Sequence, residues 1–345
     1  MQCLLQKTLH YDKGNHTLYF ILLYLLGMRP LVSFIITYHN EPVEYLRQAV
    51  ESIRELSLPI KEREIIIIDD GSQHCPLSAL EDVQDEILYV RQKNAGASMA
   101  RNRGIQIAEG QYIQFIDGDD MLIPSVYEHC LDIVRYNKPD IVLFHLTKKE
   151  GYVMKVTKAK TDGPVDGSVW MKNNNIMASP CCYIFRKDIL LNLRFEKGLT
   201  QEDEAFTPQL ILRAECLYHT DAKAYYYRQR EDSTQHTIEN SKDKDFTERT
   251  LNDIEKTIYQ LQDVASSQSR TNRQALERRV NQLTMDYLYN IIRRTHCRSE
   301  LENRIERLRD HGLFPLPDKK YTWKYSTFRK CINTKVGRII LCKTL

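Results

Sequence analysis

The 345-residue sequence has no long hydrophobic run and no large excess of charge of either sign. Its longest apolar run, Leu18–Leu26, has nine residues, whereas a membrane-spanning helix needs about 20, so a multi-span membrane protein is excluded. Lys and Arg total 49 against 46 Asp and Glu, a formal net charge of +3, and this does not indicate a globally basic nucleic-acid-binding protein. Hydrophobic residues make up 42% of the chain, enough for a core, and the length suits about two domains.

Several motifs that would indicate other chemistry are also missing. The nine cysteines are scattered, with no CxxC pair and no histidine cluster at zinc spacing. In a chain of this length we expect reduced thiols rather than a disulfide framework. Neither the Gly-Lys-Ser/Thr of a Walker loop nor the GxGxxG dinucleotide fingerprint occurs.

The two ends of the chain have a biased composition. Residues 1–29 form an apolar extension, and we expect Met28 to be the biological start, with residues 1–27 coming from an over-extended reading frame; a short membrane-surface helix is the alternative. The segment Lys319–Leu345 has eight basic residues and no acid, with four aromatic residues between them. This composition suits contact with an anionic membrane, and a solvated tail packed on a helical region explains it equally well.

Apolar, β-branched runs alternate with helical patterns between residues 31 and 146. This alternation predicts a mostly parallel sheet flanked by helices. The predicted strands of this part are Leu31–Thr37, Glu64–Ile68, Ile87–Val90, Tyr112–Ile116 and Ile141–Leu146. After an irregular segment, the sequence predicts strands at Cys182–Phe185 and Ala224–Tyr227, a helix at Glu202–Ala214, and helical structure from Asp245 to about Arg309.

Polar and acidic residues directly follow the apolar runs of three predicted strands: Thr37, Asp69-Asp70 and Asp117-Gly118-Asp119-Asp120. Ligands of such sheets bind outside the carboxyl ends of the strands, so these side chains are candidate ligand-binding residues. Asp117 and Asp119, one residue apart, can both face a hard cation such as Mg²⁺ or Mn²⁺. An acidic surface turn would explain the same residues without a ligand, and Asp70-Gly71 is a turn signal in its own right.

Four segments, in this order and spacing, closely resemble glycosyltransferase family 2. They are VSFIITYHN (Val32–Asn40), EIIIIDDGS (Glu64–Ser72), NAGASMARNRG (Asn94–Gly104) and YIQFIDGDD (Tyr112–Asp120). Further on, RFEKGLTQEDEAF (Arg194–Phe206) resembles the family's catalytic segment, and YYYRQREDS (Tyr225–Ser233) resembles a closing segment of bacterial surface-polysaccharide members. The resemblance implies an α/β GT-A-like fold over residues 30–236, followed by a helical C-terminal region (237–317) and a basic aromatic tail (318–345).

The resemblance also implies roles for single residues. Thr37, Asp70 and Asp117 would contact the nucleotide, with Asp70 on the base. Asp119, together with Asp117, would bind the metal that bridges the diphosphate, and Asp203 would be the general base. Three arginines are candidates for binding the nucleotide phosphates, namely Arg101 at the start of a predicted helix and the pair Arg228 and Arg230.

The resemblance implies that the protein transfers a sugar, with inversion, from a nucleoside diphosphate sugar to an acceptor hydroxyl. A UDP-sugar is the expected donor. The acceptor would be a glycan or lipid-linked glycan of the cell surface, and the protein would lie in the cytoplasm, at the inner face of the cell membrane. Asp203 would accept the proton of the acceptor. Two alternatives stay open: a nucleotidyltransferase, which would normally carry a Gly-rich basic loop where Thr37–Pro42 stands, and a non-catalytic protein that binds sugar nucleotides.

Overall fold

The computed structural model describes residues 29–152, 159–230 and 243–344. The apolar run near the N-terminus and the expected start at Met28 lie outside the described residues. The same holds for the end of the closing segment, residues 231–233, and for the expected boundary at residue 236.

A nine-stranded sheet forms the centre of the molecule, with strand order β3-β2-β1-β4-β8-β6-β9-β5 and with β7 paired to β9. The strands are β1 (Val32–Tyr38), β2 (Arg63–Asp69), β3 (Ile87–Arg91), β4 (Tyr112–Asp117), β5 (Met121–Leu122), β6 (Ile141–Thr147), β7 (Thr161–Val165), β8 (Tyr183–Arg186) and β9 (Leu217–Tyr226). The helices of this part are α1 (Val43–Arg54), α2 (Ala97–Ile107), α3 (Pro124–Asn137), α4 (Gly167–Asn173) and α5 (Asp203–Ile211).

The first half of the sheet is parallel, as the alternation predicts. Strand β1 pairs in parallel with both β2 and β4, and β2 pairs in parallel with β3. The four isoleucines Ile65–Ile68 are all nearly inaccessible to solvent, because both faces of such a sheet are covered. Helix α2 packs so closely on β1 that a Cβ at Gly104 would lie 2.3 Å from Cγ2 of Ile35. A side chain at position 104 would therefore force the helix off the sheet.

The second half of the sheet is mixed, which refines the expected fold class without changing it. Strand β8 pairs antiparallel with both β4 and β6, and β9 is parallel to β6. The sequence does not predict β5, which has only two residues, or β7, whose Thr161–Val165 segment is polar and contains Gly163-Pro164. Strand β9 starts at Leu217, seven residues before the predicted start at Ala224. The sequence did not indicate a strand there because polar residues occupy half-exposed and exposed positions in the first part of β9.

The C-terminal region is helical, as expected. Its helices are α6 (Lys244–Ser266), α7 (Arg270–Thr295), α8 (Arg298–Asp310), α9 (Trp323–Ile332) and α10 (Lys335–Thr344). Helix α7 packs against α6 and also against α4, so it joins the helical region to the sheet-containing part. Arg304 is fully buried between α6 and α8 and pairs with Glu255, Glu300 and Glu248. Within the described residues, no helix combines the length and hydrophobicity that crossing a bilayer requires.

Candidate active site

The strand-end residues predicted from the sequence lie along one edge of the sheet. Thr37 is in register with Asp117 between β1 and β4, and Tyr38 is in register with Asp69 between β1 and β2. The hydroxyl of Thr37 donates to Oδ1 of Asp117 over 3.2 Å. The parallel pairing of β1, β2 and β4 thus brings three sequence-distant motifs together at the edge where this class of sheet binds ligands.

Asp70 is buried and fixes the loop that precedes helix α2. Its carboxylate accepts hydrogen bonds from the backbone N–H groups of Ala95 (2.9 Å) and Gly96 (2.7 Å) and from the side-chain amide of Gln92 (2.8 Å). Gly71, with φ of +79°, provides the turn that follows, a conformation that suits glycine. These contacts give Asp70 a role in shaping the first loops of the site, and its contact with a nucleotide base stays a prediction.

Arg101 connects the two halves of the site. Its Nη2 lies 3.0 Å from Oδ1 of Asp117, and its Nη1 pairs with Oε1 of Glu202. The guanidinium lies 5.5 Å from the ring centroid of Phe195 and is only 6% exposed. Burial alone would lower the pKa of Arg101, but the charges of Asp117 and Glu202 raise it above its ordinary value. Arg101 therefore links the strand-end acids to the acidic segment at the start of α5. Its contact with phosphate remains a prediction.

Asn102, the next residue, ties the same acidic segment to α2. Its side chain donates to the carbonyl of Phe195 (2.8 Å) and accepts from the N–H of Phe195 (2.9 Å). The ring of Phe195 stacks on Phe206 at 3.8 Å between centroids. The two stacked rings thus hold the ends of the segment 195–206 together, and Asn102 holds the segment against α2. The predicted catalytic segment and the third motif consequently form one unit.

The turn after β4 contains three acids in different settings. Oδ1 of Asp120 accepts from the N–H of Arg228, and Oδ2 accepts from the hydroxyl of Tyr225, both over 2.8 Å. Burial, followed by the charges of Asp117 and Asp119, raises the pKa of Asp120 to about 8. Burial and the charge of Asp117 also raise the pKa of Asp119. Asp120 is therefore hydrogen-bonded to β9 and the residue that follows Tyr227, whereas Asp117 and Asp119 pair with the arginines Arg101 and Arg230.

Arg228 and Arg230 lie beside this turn. The Nε of Arg228 donates to the carbonyl of Asp119 over 2.8 Å, and its guanidinium lies 4.0 Å from the ring centroid of Tyr45. The Nε of Arg230 lies 2.8 Å from Oδ2 of Asp119. Both arginines thus lie at the acidic turn, and their expected contact with the nucleotide phosphates stays a prediction.

Asp203 occupies the first turn of α5, between Glu202 and Glu204. Its Oδ1 accepts from the N–H of Glu204 over 3.0 Å. Burial is the largest influence on its carboxyl and, with the negative charges of Glu204 and Glu202, raises the pKa of Asp203 to about 7, against the opposing charge of Arg101. A carboxyl group with a pKa near neutrality is suited to proton transfer at physiological pH.

The acidic turn satisfies part of what a divalent cation requires. Within the described ranges, no three His, Cys, Asp or Glu side chains are grouped as a metal cluster. Mg²⁺ and Mn²⁺ sites on nucleotides commonly take one or two carboxylates from the protein and the rest from phosphate oxygens and water. Asp119 already pairs with one cation, the guanidinium of Arg230. Asp119 and Asp117 are the carboxylates of this turn that would share a metal with a diphosphate, and their binding of a metal stays a prediction.

The structure also brings in residues that the sequence did not indicate. Tyr225 donates to Asp120 and accepts from the N–H of Asp117. Arg279 of α7 pairs with Glu204. Asn102 could have been noticed, since it follows Arg101 in the third motif, whereas Arg279 lies in a helix rich in arginine with nothing to distinguish it.

Known proteins resemble this chain in sequence and in fold. Residues 33–194 match the model of the family "Glycosyl transferase family 2". The minor teichoic acid biosynthesis protein GgaB of Bacillus subtilis is 30% identical over 200 residues, which cover 55% of this chain and 22% of GgaB. Glycosyltransferase GlyG of Streptococcus pneumoniae is 26% identical over 229 residues, which cover 61% of this chain and 74% of GlyG. The chain thus spans less than a quarter of GgaB and about three quarters of GlyG.

Two solved structures share the fold. S. aureus TarS 1–349 in complex with UDP-GlcNAc superposes with a TM-score of 0.55 at 20% identity, over 88% of this chain and 90% of that chain. The mannosyltransferase PcManGT of Pyrobaculum calidifontis, in complex with GDP-Man and Mn²⁺, gives a TM-score of 0.54 at 13% identity, over 92% and 88%. The expected GT-A-like fold and the resemblance of the motifs are both confirmed. Residues 33–194 of this chain therefore belong to glycosyltransferase family 2.

Proposed function

We propose that this protein is an inverting glycosyltransferase that moves a sugar from a UDP-sugar to an acceptor hydroxyl in the synthesis of a surface polysaccharide. One observation carries the proposal: Arg101 joins Asp117, at the edge of the sheet, to Glu202, next to Asp203. A donor bound at the acidic turn would therefore have a carboxyl group suited to proton transfer close to it. The complexes of TarS with UDP-GlcNAc and of PcManGT with GDP-Man and Mn²⁺ support a nucleotide sugar as the donor. The name of GgaB supports a cell-envelope acceptor.

Asp203 acts as the general base in this proposal. Its carboxylate accepts the proton of the acceptor hydroxyl while the oxygen attacks the anomeric carbon. The bond from that carbon to the diphosphate breaks with its electron pair, and the nucleoside diphosphate leaves. A single displacement of this kind inverts the configuration of the carbon. Within the chain, Arg101 holds the two reacting regions in place, and Asn102 fixes the segment that carries the base.

Asp119 and Asp117 would hold the divalent metal, Mg²⁺ or Mn²⁺. When bound, such an ion supplies charge that offsets the negative charge developing on the leaving diphosphate. Thr37 fixes the orientation of Asp117 through its hydroxyl. Arg228 fixes the backbone of Asp119 and, with Arg230, places positive charge where the diphosphate would lie.

We expect donor screening to identify UDP-sugars as substrates. The full-length protein is mixed with a panel of UDP-, GDP- and dTDP-sugars and Mn²⁺, and released nucleoside diphosphate is measured, because slow donor hydrolysis does not need the natural acceptor. Thermal unfolding with UDP or GDP, with and without Mn²⁺, provides a second readout, since a ligand at 100 times its Kd stabilises the folded state by about 2.7 kcal/mol.

The alternatives give different results in the same experiment. Stabilisation by UDP without release of diphosphate from any sugar nucleotide would favour a non-catalytic binding protein. Formation of a sugar nucleotide from a sugar phosphate and a nucleoside triphosphate would favour a nucleotidyltransferase. Indifference to every nucleotide would contradict the proposal.

We also propose that helices α9 and α10 contact the anionic inner face of the cell membrane. Tyr325 and Ile332 are fully buried and anchor α9, so the basic C-terminal segment is folded. On its surface Trp323, Val336 and Ile340 are 79%, 67% and 54% exposed. The arginines of the segment pair with acids, as in the contacts Arg329–Asp318 and Arg338–Glu302. The lysines Lys319, Lys320, Lys330, Lys335 and Lys343 form no ion pair with an acid among the described residues.

Vesicle binding tests this contact. We expect co-sedimentation with phosphatidylcholine vesicles that contain phosphatidylglycerol, little binding to pure phosphatidylcholine, and loss of binding at high salt. Because each lysine near such a surface contributes about 1 kcal/mol, replacing Lys319, Lys320 and Lys330 by Gln should weaken binding by about 100-fold. The matched control replaces three exposed lysines elsewhere, Lys61, Lys138 and Lys149. Equal binding of both triple variants would instead favour a solvated helical tail.

A further inference from the structure

Three consecutive acids, Glu202, Asp203 and Glu204, begin helix α5, and arginines from two different helices pair with the outer two. Glu202 pairs with Arg101 of α2, and Glu204 pairs with Arg279 of α7. Asp203 has no arginine within ion-pair distance in the described part of the chain. The segment thus has a neutralised carboxylate on each side of the proposed base.

Arg279 is held firmly in its position. The residue is 6% exposed, and its Nη1 lies 3.5 Å from the carbonyl oxygen of Ile176. Its neighbours on α7 fix the same loop, because Arg278 and Gln282 both donate to the side-chain oxygen of Asn175, over 2.9 Å and 2.6 Å. The guanidinium is therefore positioned by its ion pair with Glu204 together with the contact between α7 and residues 175–176.

We propose that Arg279 is a positioning residue of the transfer reaction, which neutralises Glu204 so that the carboxylate of Asp203 stays ionised and available to the acceptor proton. This inference rests on the proposed role of Asp203 as the base. The helical C-terminal region is thereby part of the catalytic apparatus, although Arg279 itself lies outside the residues that match the family model.

The charged groups around the segment agree with this role. On its own helix, Glu202 and Glu204 raise the pKa of Asp203, after burial, and Arg101 of α2 lowers it. From β8 and the turn before it, the neighbours are Tyr183 and Cys182, both buried, with their own pKa values raised mainly by burial.

Helices α7 and α9 contribute three further charged groups to the surroundings of the acidic segment, namely Arg279, Asp286 and Lys324. Burial raises the pKa of Asp286 to about 6; Arg279 opposes this shift, Glu204 adds to it, and Lys324 opposes it weakly. Arg279 is thus the buried cation on this side that touches an acid adjacent to Asp203. Removing it leaves the full charge of Glu204 next to the base.

The pH dependence of kcat for release of UDP tests the inference, using the UDP-sugar that performs best in the donor screen. We expect Arg279→Met to move the acidic limb of the profile to higher pH by about one unit. Without Arg279 the negative charge of Glu204 is uncompensated, and one such charge on the residue next to Asp203 raises a pKa by about one unit. At pH well above the limb, kcat should return to within about threefold of the wild-type value. Arg279→Lys keeps the charge and should keep the wild-type limb.

Glu204→Gln supplies the opposite change and the matched control. It leaves the charge of Arg279 unbalanced and should move the limb downward, and the double variant Glu204→Gln/Arg279→Met should return it to near the wild-type position. A merely structural role for Arg279 would lower kcat at all pH values without moving the limb, and that result would overturn the inference. If Arg279→Met does not fold, an unmoved limb in Glu204→Gln alone overturns it equally.

Failure of the inference differs from failure of the proposed function. Full activity of Asp203→Asn would show that Asp203 is not the base. An inactive Asp203→Asn together with an unmoved limb in Arg279→Met would leave the base in place and remove only the role of Arg279.

Discussion

Asp203→Asn is expected to lower the rate of sugar transfer by about 10²–10⁴-fold, the usual contribution of a general base, while binding of UDP stays unchanged. The amide has almost the size of the carboxyl group, and its oxygen can still accept from the N–H of Glu204. It cannot accept a proton from the acceptor. Among the described residues, Asp203 makes no hydrogen bond with Asp117 or Asp119, so the donor side of the site is left intact.

The measurement is initial-rate kinetics beside UDP binding by calorimetry on the same preparations. Asp188→Asn is the matched control, since Asp188 is an exposed aspartate in the turn Lys187–Leu190. A different role for Asp203 predicts a different outcome: an acid that only favours the positive end of α5 would contribute about 0.3–1 kcal/mol of stability, so Asp203→Asn would unfold slightly earlier and transfer at the wild-type rate.

The sequence predicts the parallel half of the fold well, because its strands are fully buried. The run Ile65–Ile68 can only be a core element, and the turn residues that follow such runs fix which side chains reach the edge of the sheet. The same reasoning predicts the mixed half of the sheet less well. Strands β5 and β7 are too short or too polar to show a period of two, and they exist because β9 offers them a partner.

The candidate site divides in the same way. The places of Thr37, Asp117 and Asp119 could be predicted because each lies at or just after the C-terminal end of a buried apolar run, and such a run can be recognised from the local sequence. The pairing of Arg101 with Glu202 joins residues 101 positions apart, and no local pattern predicts it. The motif places Asp70 at this edge of the sheet, but the hydrogen bonds of its carboxylate with Ala95 and Gly96 could not be predicted from the sequence.

Asp119→Asn is expected to remove both transfer and the metal dependence of UDP binding, in contrast to Asp203→Asn. The amide is a weaker ligand for a hard cation than a carboxylate, and losing one such contact, at several kcal/mol, should lower the affinity for UDP in the presence of Mn²⁺ by at least about 100-fold. Calorimetry with UDP, with and without Mn²⁺, measures the effect without relying on activity. Asp188→Asn again serves as the control.

Arg230 gives this experiment a second arm. Its Nε lies 2.8 Å from Oδ2 of Asp119, where it supplies positive charge that a divalent cation would otherwise provide. If a metal takes over this carboxylate, the guanidinium is released toward the diphosphate, and Arg230→Met should weaken UDP binding in the presence of Mn²⁺. If the charge of Arg230 replaces that of a metal, Mn²⁺ and chelators will not change the binding of UDP to the wild-type protein. Asp119→Asn will then leave the affinity for UDP nearly unchanged. That second pattern would remove the metal from the proposed mechanism and leave Asp203 as the base.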